Sequence, residues 1–139
     1  MPVDILHGLE FPALITLAAV IQFQVYGFMV GRARAKYDVA APATYGKEEF
    51  ERIFRVHQNT MEQLVIFLPG LWIFAITVDD LIAGLIGVAW MIGRELYFMG
   101  YVKDPNKRGL GFGITFLSSA ILVIGGGVPV IIRVVEHWF

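Results

Sequence analysis

The segment from Glu49 to Glu62 carries charged and amide side chains directly into an apolar run at 63–78. Spacings of three, four and three positions place on one helical face the side chains of Arg52, Arg55, Asn59 and Glu62. Guanidinium groups bind carboxylates through parallel hydrogen bonds, and a carboxylate binds an ammonium group. Because ionisable side chains at membrane depth generally mark functional sites, this face predicts a binding site for a small anion or zwitterion.

A second polar stripe lies near residue 100. Spacings of three, four and seven positions separate Arg94, Tyr97, Tyr101 and Arg108. Tyrosine and lysine at a helix end also serve as anchors in the lipid headgroup region, which is an equally good explanation of Tyr101 and Lys103. Arg94 has an alternative role as the partner of Glu62 in an ion pair between two helices.

The composition is that of an integral membrane protein. Of the 139 residues, 57% are hydrophobic and only 17% are charged, which is too apolar for an ordinary small soluble domain. A membrane span needs about 20 residues of helix, and 11–30 and 110–132 provide this length without a charge. The apolar runs 63–78 and 81–93 reach it only if flanking charged residues enter the membrane. We therefore expect an all-α integral membrane four-helix bundle, a single domain at 1–139 with helices at about 9–34, 48–77, 80–102 and 109–136.

Lysine and arginine are concentrated in two of the three connections between these helices. They occur in the first connection, at 31–47, and in the third, at 102–109, whereas the second connection and the first ten residues contain none. The positive-inside rule places the first and third connections in the cytoplasm. Both polar stripes then lie at the cytoplasmic boundary, and we expect a bacterial inner membrane because the terminal segments are short.

Other kinds of site have little support in the sequence. A net charge of -1, without a recognition motif, argues against a nucleic-acid partner. The lack of cysteine excludes disulfides and thiolate chemistry by the protein. His7, His57 and His137 are too scattered to predict a metal site.

Three motifs carry a resemblance to a known family. They read E-E-F-E-R-I-F-R-V-H-Q-N-T-M-E, then G-R-E-L-Y-F-M-G-Y, and finally D-P-N-K-R. Through them the chain is similar to the MAPEG family, the membrane-associated proteins of eicosanoid and glutathione metabolism. The likeness is strongest to the third microsomal glutathione S-transferase branch, and it covers all four helices.

The resemblance implies a homotrimer that binds glutathione, as co-substrate, at each interface between neighbouring subunits. The residues that match family positions at the glutathione site are Arg34, Arg55, His57, Asn59, Glu62, Tyr97 and Tyr101. Arg94 joins them as a candidate contact because it lies on the second stripe. Arg108 matches the arginine that stabilises the glutathione thiolate, which makes it the candidate catalytic residue.

The resemblance further implies a membrane-bound glutathione transferase. Its thiolate would attack a hydrophobic electrophile that arrives through the membrane lipid, or reduce a lipid hydroperoxide as a peroxidase. The chain has Ala35 and Gln63 where the leukotriene synthase of the family has an arginine and an aromatic residue, which favours a general transferase. The alternatives are a non-catalytic lipid-binding or scaffold member of the family, and a bundle whose polar stripes only hold helices together.

Overall fold

The computed structural model describes residues 6–139 and is built from four long helices. They are α1 (Glu10–Tyr37), α2 (Glu48–Thr77), α3 (Asp80–Lys103) and α4 (Gly109–Trp138), with a 3₁₀ turn, Pro105–Arg108, between α3 and α4. The observed helix ends differ from the predicted ones by at most three residues. The expected all-α architecture is confirmed, and residues 1–5 of the predicted 1–139 domain lie outside the described residues.

Each helix is long and apolar enough to cross a membrane. The 28 residues of α1 extend for about 42 Å, against roughly 30 Å of hydrocarbon core. Large apolar side chains also cover the outer surface, where Leu17 is 63% exposed and Val65 is 70% exposed. Soluble monomers rarely expose apolar surface on this scale. The protein is therefore an integral, multi-pass membrane protein.

Two aspartates fix the ends of α3. At its start, the carboxylate of Asp79 accepts a hydrogen bond of 2.8 Å from the backbone N–H of Ile82, which satisfies one of the free donors of the first turn. After its end, Asp104 accepts a hydrogen bond of 3.0 Å from the backbone N–H of Asn106. This second contact begins the 3₁₀ turn at the D-P-N sequence, and the turn delivers Arg108 to the start of α4.

The bundle has an aromatic centre, and glycines allow close contacts between its helices. Phe67 of α2 stacks on Trp90 of α3 with 4.1 Å between ring centroids, and neither side chain is exposed. A Cβ atom on Gly111 would lie 2.2 Å from the backbone nitrogen of Tyr97, and one on Gly126 would lie 2.8 Å from that of Phe74. Small residues of this kind let membrane helices approach backbone to backbone. These two glycines therefore determine how closely α4 packs against α3 and α2.

Candidate active site

Four of the predicted site residues line one cavity of about 300 Å³. Arg55 and Asn59 come from successive turns of α2, Tyr97 comes from α3, and Arg108 comes from the 3₁₀ turn. The first turn of α4 completes the wall through Gly109 and Phe112. Three separate elements thus bring two guanidinium groups, an amide and a phenol to one place near the end of α3 and the start of α4.

The two tyrosines of α3 stack on each other beside Arg108. Tyr97 and Tyr101 are one turn apart and stack with 5.5 Å between ring centroids. The guanidinium carbon of Arg108 lies 5.8 Å from the ring centroid of Tyr101, within the range of a cation–π contact. The Arg108 side chain is exposed in the subunit, so its charge remains accessible to a ligand.

Arg94 lies behind Asn59 and is fully enclosed. Its Nη1 donates to the amide oxygen of Asn59 at 3.1 Å, and its Nη2 donates to the hydroxyl of Thr60 at 2.8 Å. Its guanidinium carbon is 4.3 Å from the ring centroid of Tyr97. Among residues 6–139 these neutral groups take the place of the ion pair with Glu62, so that alternative is wrong. In this arrangement Arg94 supports Asn59 and Tyr97 from within the protein.

The amide of Asn59 links Arg94 to Glu62. Its oxygen accepts from Arg94, and its Nδ2 donates to Oε2 of Glu62 at 3.2 Å. Because both ends of the amide have partners, its orientation is fixed. The Glu62 side chain is exposed on the surface of the subunit, one turn further along α2, where it remains available to a cationic group.

A larger cavity of about 540 Å³ adjoins the first and shares Arg55 with it. Tyr101 lines this second cavity, as does Arg52. Arg52 forms an ion pair with Glu48 and donates to the backbone oxygen of Lys103 at 3.0 Å. The bond to Lys103 ties α2 to the end of α3.

Two predicted residues lie apart from the cavity within a single subunit. His57 faces α1, where its ring stacks on Phe23 with 4.5 Å between centroids. Arg34 donates to the backbone oxygen of Ala43 at 2.7 Å and lies 4.9 Å over the ring of Phe50. Arg34 thereby holds the connection between α1 and α2 against these two helices. Nowhere in residues 6–139 do three histidine or acidic side chains form a group that could hold a metal ion.

Sequence reasoning missed two residues that shape this site. Thr60, buried beside Asn59, receives one of the two hydrogen bonds of Arg94. Gly111 permits the contact between α4 and the backbone of Tyr97. The signal for Thr60 was present, since it lies at a spacing of four from the apolar Val56 and Leu64, and a hydroxyl buried on such a face needs a partner. In the sequence, Gly111 is one of three closely spaced glycines, at 109, 111 and 113, and nothing distinguishes it from the other two.

Comparison with known proteins places these motifs in a family. The family model described as MAPEG matches residues 12–128. The chain is 54% identical over 117 residues to an uncharacterized protein of Synechocystis, a match that covers 84% of this chain and 85% of that one. It is 35% identical over 118 residues to microsomal glutathione S-transferase 2 of Homo sapiens, covering 85% of this chain and 80% of that protein.

A further relative is leukotriene C4 synthase of Mus musculus. The chain is 34% identical to it over 96 residues, which cover 69% of this chain and 64% of the synthase. The named relatives are a microsomal glutathione S-transferase 2 and a leukotriene C4 synthase. The likeness to the third microsomal glutathione S-transferase branch remains a prediction from the motifs. The family itself is shown by the extent of the match: the chain belongs to the MAPEG family.

Proposed function

We propose that this protein is a membrane-bound glutathione transferase that stabilises the glutathione thiolate and conjugates it to hydrophobic electrophiles. The observation that carries the proposal is the cavity shared by Arg55, Asn59, Tyr97 and Arg108. A glutathione-related transferase function is supported at the family level by the relatives named above. The side chains around this cavity are the ones that would hold and activate the tripeptide.

Glutathione has two carboxylates, one ammonium group and one thiol, and the site offers a partner for each kind of group. Arg55 supplies a guanidinium that can bind a carboxylate in a bidentate manner. Glu62 supplies an exposed carboxylate for the ammonium group. Asn59 lies between them along α2 and is held by Arg94, so its amide is oriented before the ligand binds.

A homotrimer would bring the separated site residues together. Arg34 and His57 contact Ala43 and Phe23 and do not line the cavity, and Glu62 is exposed on an apolar surface. A carboxylate in such a surface is costly, and the single hydrogen bond from Asn59 leaves most of its acceptor capacity unused. We infer that a neighbouring subunit covers Glu62 and contributes its own Arg34 and His57 to the same glutathione molecule.

The chemistry requires only that the thiol lose its proton near Arg108. A free thiol has a pKa of about 8.5. A guanidinium that lowers this pKa by about 1 to 2 units would make a large fraction of bound glutathione nucleophilic at neutral pH. The proton passes to water, the sulfur forms a bond to carbon, and the leaving group departs with its electron pair. With an organic hydroperoxide, two glutathione molecules are oxidised to the disulfide while the peroxide is reduced to an alcohol and water.

The proposed orientation follows from charge. The connections that hold Arg108 and Lys107, and the basic end of α1, would face the cytoplasm. Glutathione would enter from that side, and the electrophile would arrive from the lipid between subunits. We place the protein in a bacterial inner membrane with the site at its cytoplasmic boundary.

Stopped-flow absorbance on mixing the purified protein with glutathione tests the proposal. We expect a rapid signal in the thiolate band at pH 7, followed by turnover when an aryl halide is added. Arg108→Ala should retain glutathione binding but lower turnover at pH 7 by about 8- to 25-fold, because the thiolate fraction falls to about 3% from about 24% to 76% when the pKa rises by 1 to 2 units to 8.5. Its rate should keep rising with pH towards 8.5, whereas the wild-type rate levels off at lower pH.

Lys107→Ala is the matched control, because Lys107 precedes Arg108 in the same turn, is exposed and does not line the cavity. It should behave like the wild type. Glutathione binding without a thiolate signal in the wild type would instead identify a non-catalytic member of the family. Equal loss of turnover in both variants would mean that general positive charge, and not Arg108, activates the thiol.

A further inference from the structure

A separate cavity of about 630 Å³ lies at the end of α1 and shares no lining residue with the candidate active site. Two exposed cations one helical turn apart, Arg32 and Lys36, line it. Met29 and Ala33 of α1 and Ile53 of α2 supply apolar surface. Of the described residues that line this cavity, none is acidic. The cavity therefore has a net positive charge and an apolar wall.

The order of these residues along α1 suits an amphiphilic ligand. Arg32 and Lys36 lie in the last two turns of the helix, which ends at Tyr37, so their charges reach the level of the lipid headgroups. Met29 lies seven residues before Lys36, about 10 Å deeper at 1.5 Å per residue. An inorganic anion would neutralise the cations but leave the apolar wall uncovered, whereas a phospholipid would satisfy both.

We propose that this cavity binds an anionic phospholipid. Its phosphodiester lies between Arg32 and Lys36, and one acyl chain follows Met29 and Ile53 towards the membrane centre. Basic pockets at the ends of membrane helices bind acidic headgroups in this way, and each cation near the membrane surface contributes about a fivefold increase in affinity. A zwitterionic lipid binds more weakly because its own ammonium group offsets the phosphate charge. The proposal does not depend on the transferase function.

Native mass spectrometry of the full-length protein in a neutral detergent tests this site. Phosphatidylglycerol is titrated, and bound lipid is counted per subunit, with phosphatidylcholine as the comparison lipid. We expect saturable binding of phosphatidylglycerol and at least tenfold weaker binding of phosphatidylcholine. The double variant Arg32→Gln/Lys36→Gln should bind phosphatidylglycerol about 25-fold more weakly, from a factor of about five for each cation.

Lys107→Gln removes a cation outside the cavity and should leave phosphatidylglycerol binding unchanged. Circular dichroism should show the same helix content in all variants, because Arg32, Lys36 and Lys107 are exposed. Millimolar inorganic phosphate should not displace the lipid. The proposal is overturned if the two lipids bind equally, if the double variant and Lys107→Gln lose affinity to the same extent, or if phosphate alone competes fully.

Discussion

The two sides of α3 carry opposite charges on adjacent residues. On one side Arg94 is enclosed and donates to Asn59 and Thr60 of α2. On the other side Glu95 faces α1, where its carboxylate accepts a hydrogen bond of 2.9 Å from the hydroxyl of Tyr26. Successive residues of a helix point about 100° apart, so these two charges serve different interfaces although they are neighbours in sequence.

The difference between the two sides lies in what each one supports. The Arg94 side connects through Asn59 and Tyr97 to the cavity that holds Arg108. The Glu95 carboxylate accepts its hydrogen bonds from α1, where Gln22 adds a long one of 3.4 Å to that from Tyr26. A polar group at membrane depth can therefore orient an active site or join two helices, and its contacts distinguish the two roles better than its charge does.

The largest effect is expected from Arg94→Leu. The substitution leaves the amide oxygen of Asn59 and the hydroxyl of Thr60 without their donor, and hydrogen bonds to a charged group contribute about 1.5 to 3 kcal/mol each. We expect the free energy of unfolding to fall by about 3 kcal/mol and glutathione affinity to fall with it. Thermal unfolding in detergent and a calorimetric titration with glutathione measure the two quantities.

Arg94→Lys provides a variant that keeps the charge if the leucine variant does not fold. A single ammonium group cannot reproduce the geometry of the guanidinium fork that joins Asn59 and Thr60. Glutathione affinity should therefore fall while the fold is retained. Unchanged affinity in a folded Arg94→Lys protein would show that the two sides of α3 do not differ in their connection to the site.

A smaller effect is expected where α4 contacts the Arg94 side of α3. The methyl group of Gly111→Ala would lie 2.2 Å from the backbone nitrogen of Tyr97, so α4 must move away. We expect a loss of about 2 kcal/mol in the free energy of unfolding, typical of overpacking, and a loss of turnover because Arg108 moves with α4. Thermal unfolding and a conjugation assay check both effects.

Gly113→Ala is the matched control on the same helix. A Cβ atom at Gly113 would meet nothing within 4 Å in the subunit, and alanine is a better helix former than glycine by roughly 0.5 to 1 kcal/mol. The control should be neutral or slightly stabilising. If both substitutions reduce turnover equally, the contact at Gly111 does not determine the position of Arg108.

The smallest effect is expected on the Glu95 side. Tyr26→Phe removes one hydroxyl from the interface between α1 and α3 and should cost about 1 kcal/mol of stability, with glutathione affinity unchanged. Tyr45→Phe is the control, because Tyr45 is 75% exposed. A loss of glutathione affinity in Tyr26→Phe comparable to that in Arg94→Lys would contradict the separation of the two sides.

Much of the fold could be predicted because its signals are local. Two uncharged runs of sufficient length define α1 and α4, shorter apolar runs flanked by charges locate α2 and α3, and the D-P-N sequence marks the turn that delivers Arg108. The cavity could be anticipated in part, since a spacing of four residues keeps Arg55 and Asn59 on one face whatever the packing. His57 is predicted at the glutathione site from the family resemblance, not from helix geometry, and the structure places it against α1 within a subunit.

The partner of Arg94 could not be predicted from the sequence. Thr60 and Glu62 both lie within reach of a long side chain from α3, and the rotation of α3 against α2 decides between them. That rotation depends on packing across the whole bundle, including the glycine contacts of α4. The periodicity of the sequence identifies which face of each helix is buried, but it does not give the rotation of one helix relative to its neighbour.

The close approach at Gly111 has a consequence for how this site would respond to mutational scanning. Alanine substitution normally removes a contact and reports what a side chain contributes. At Gly111 it adds an atom in a space that the backbone of Tyr97 already occupies. A residue with no side chain would therefore score as part of the active site, because it fixes the distance between the helix that presents the tyrosines and the helix that follows Arg108.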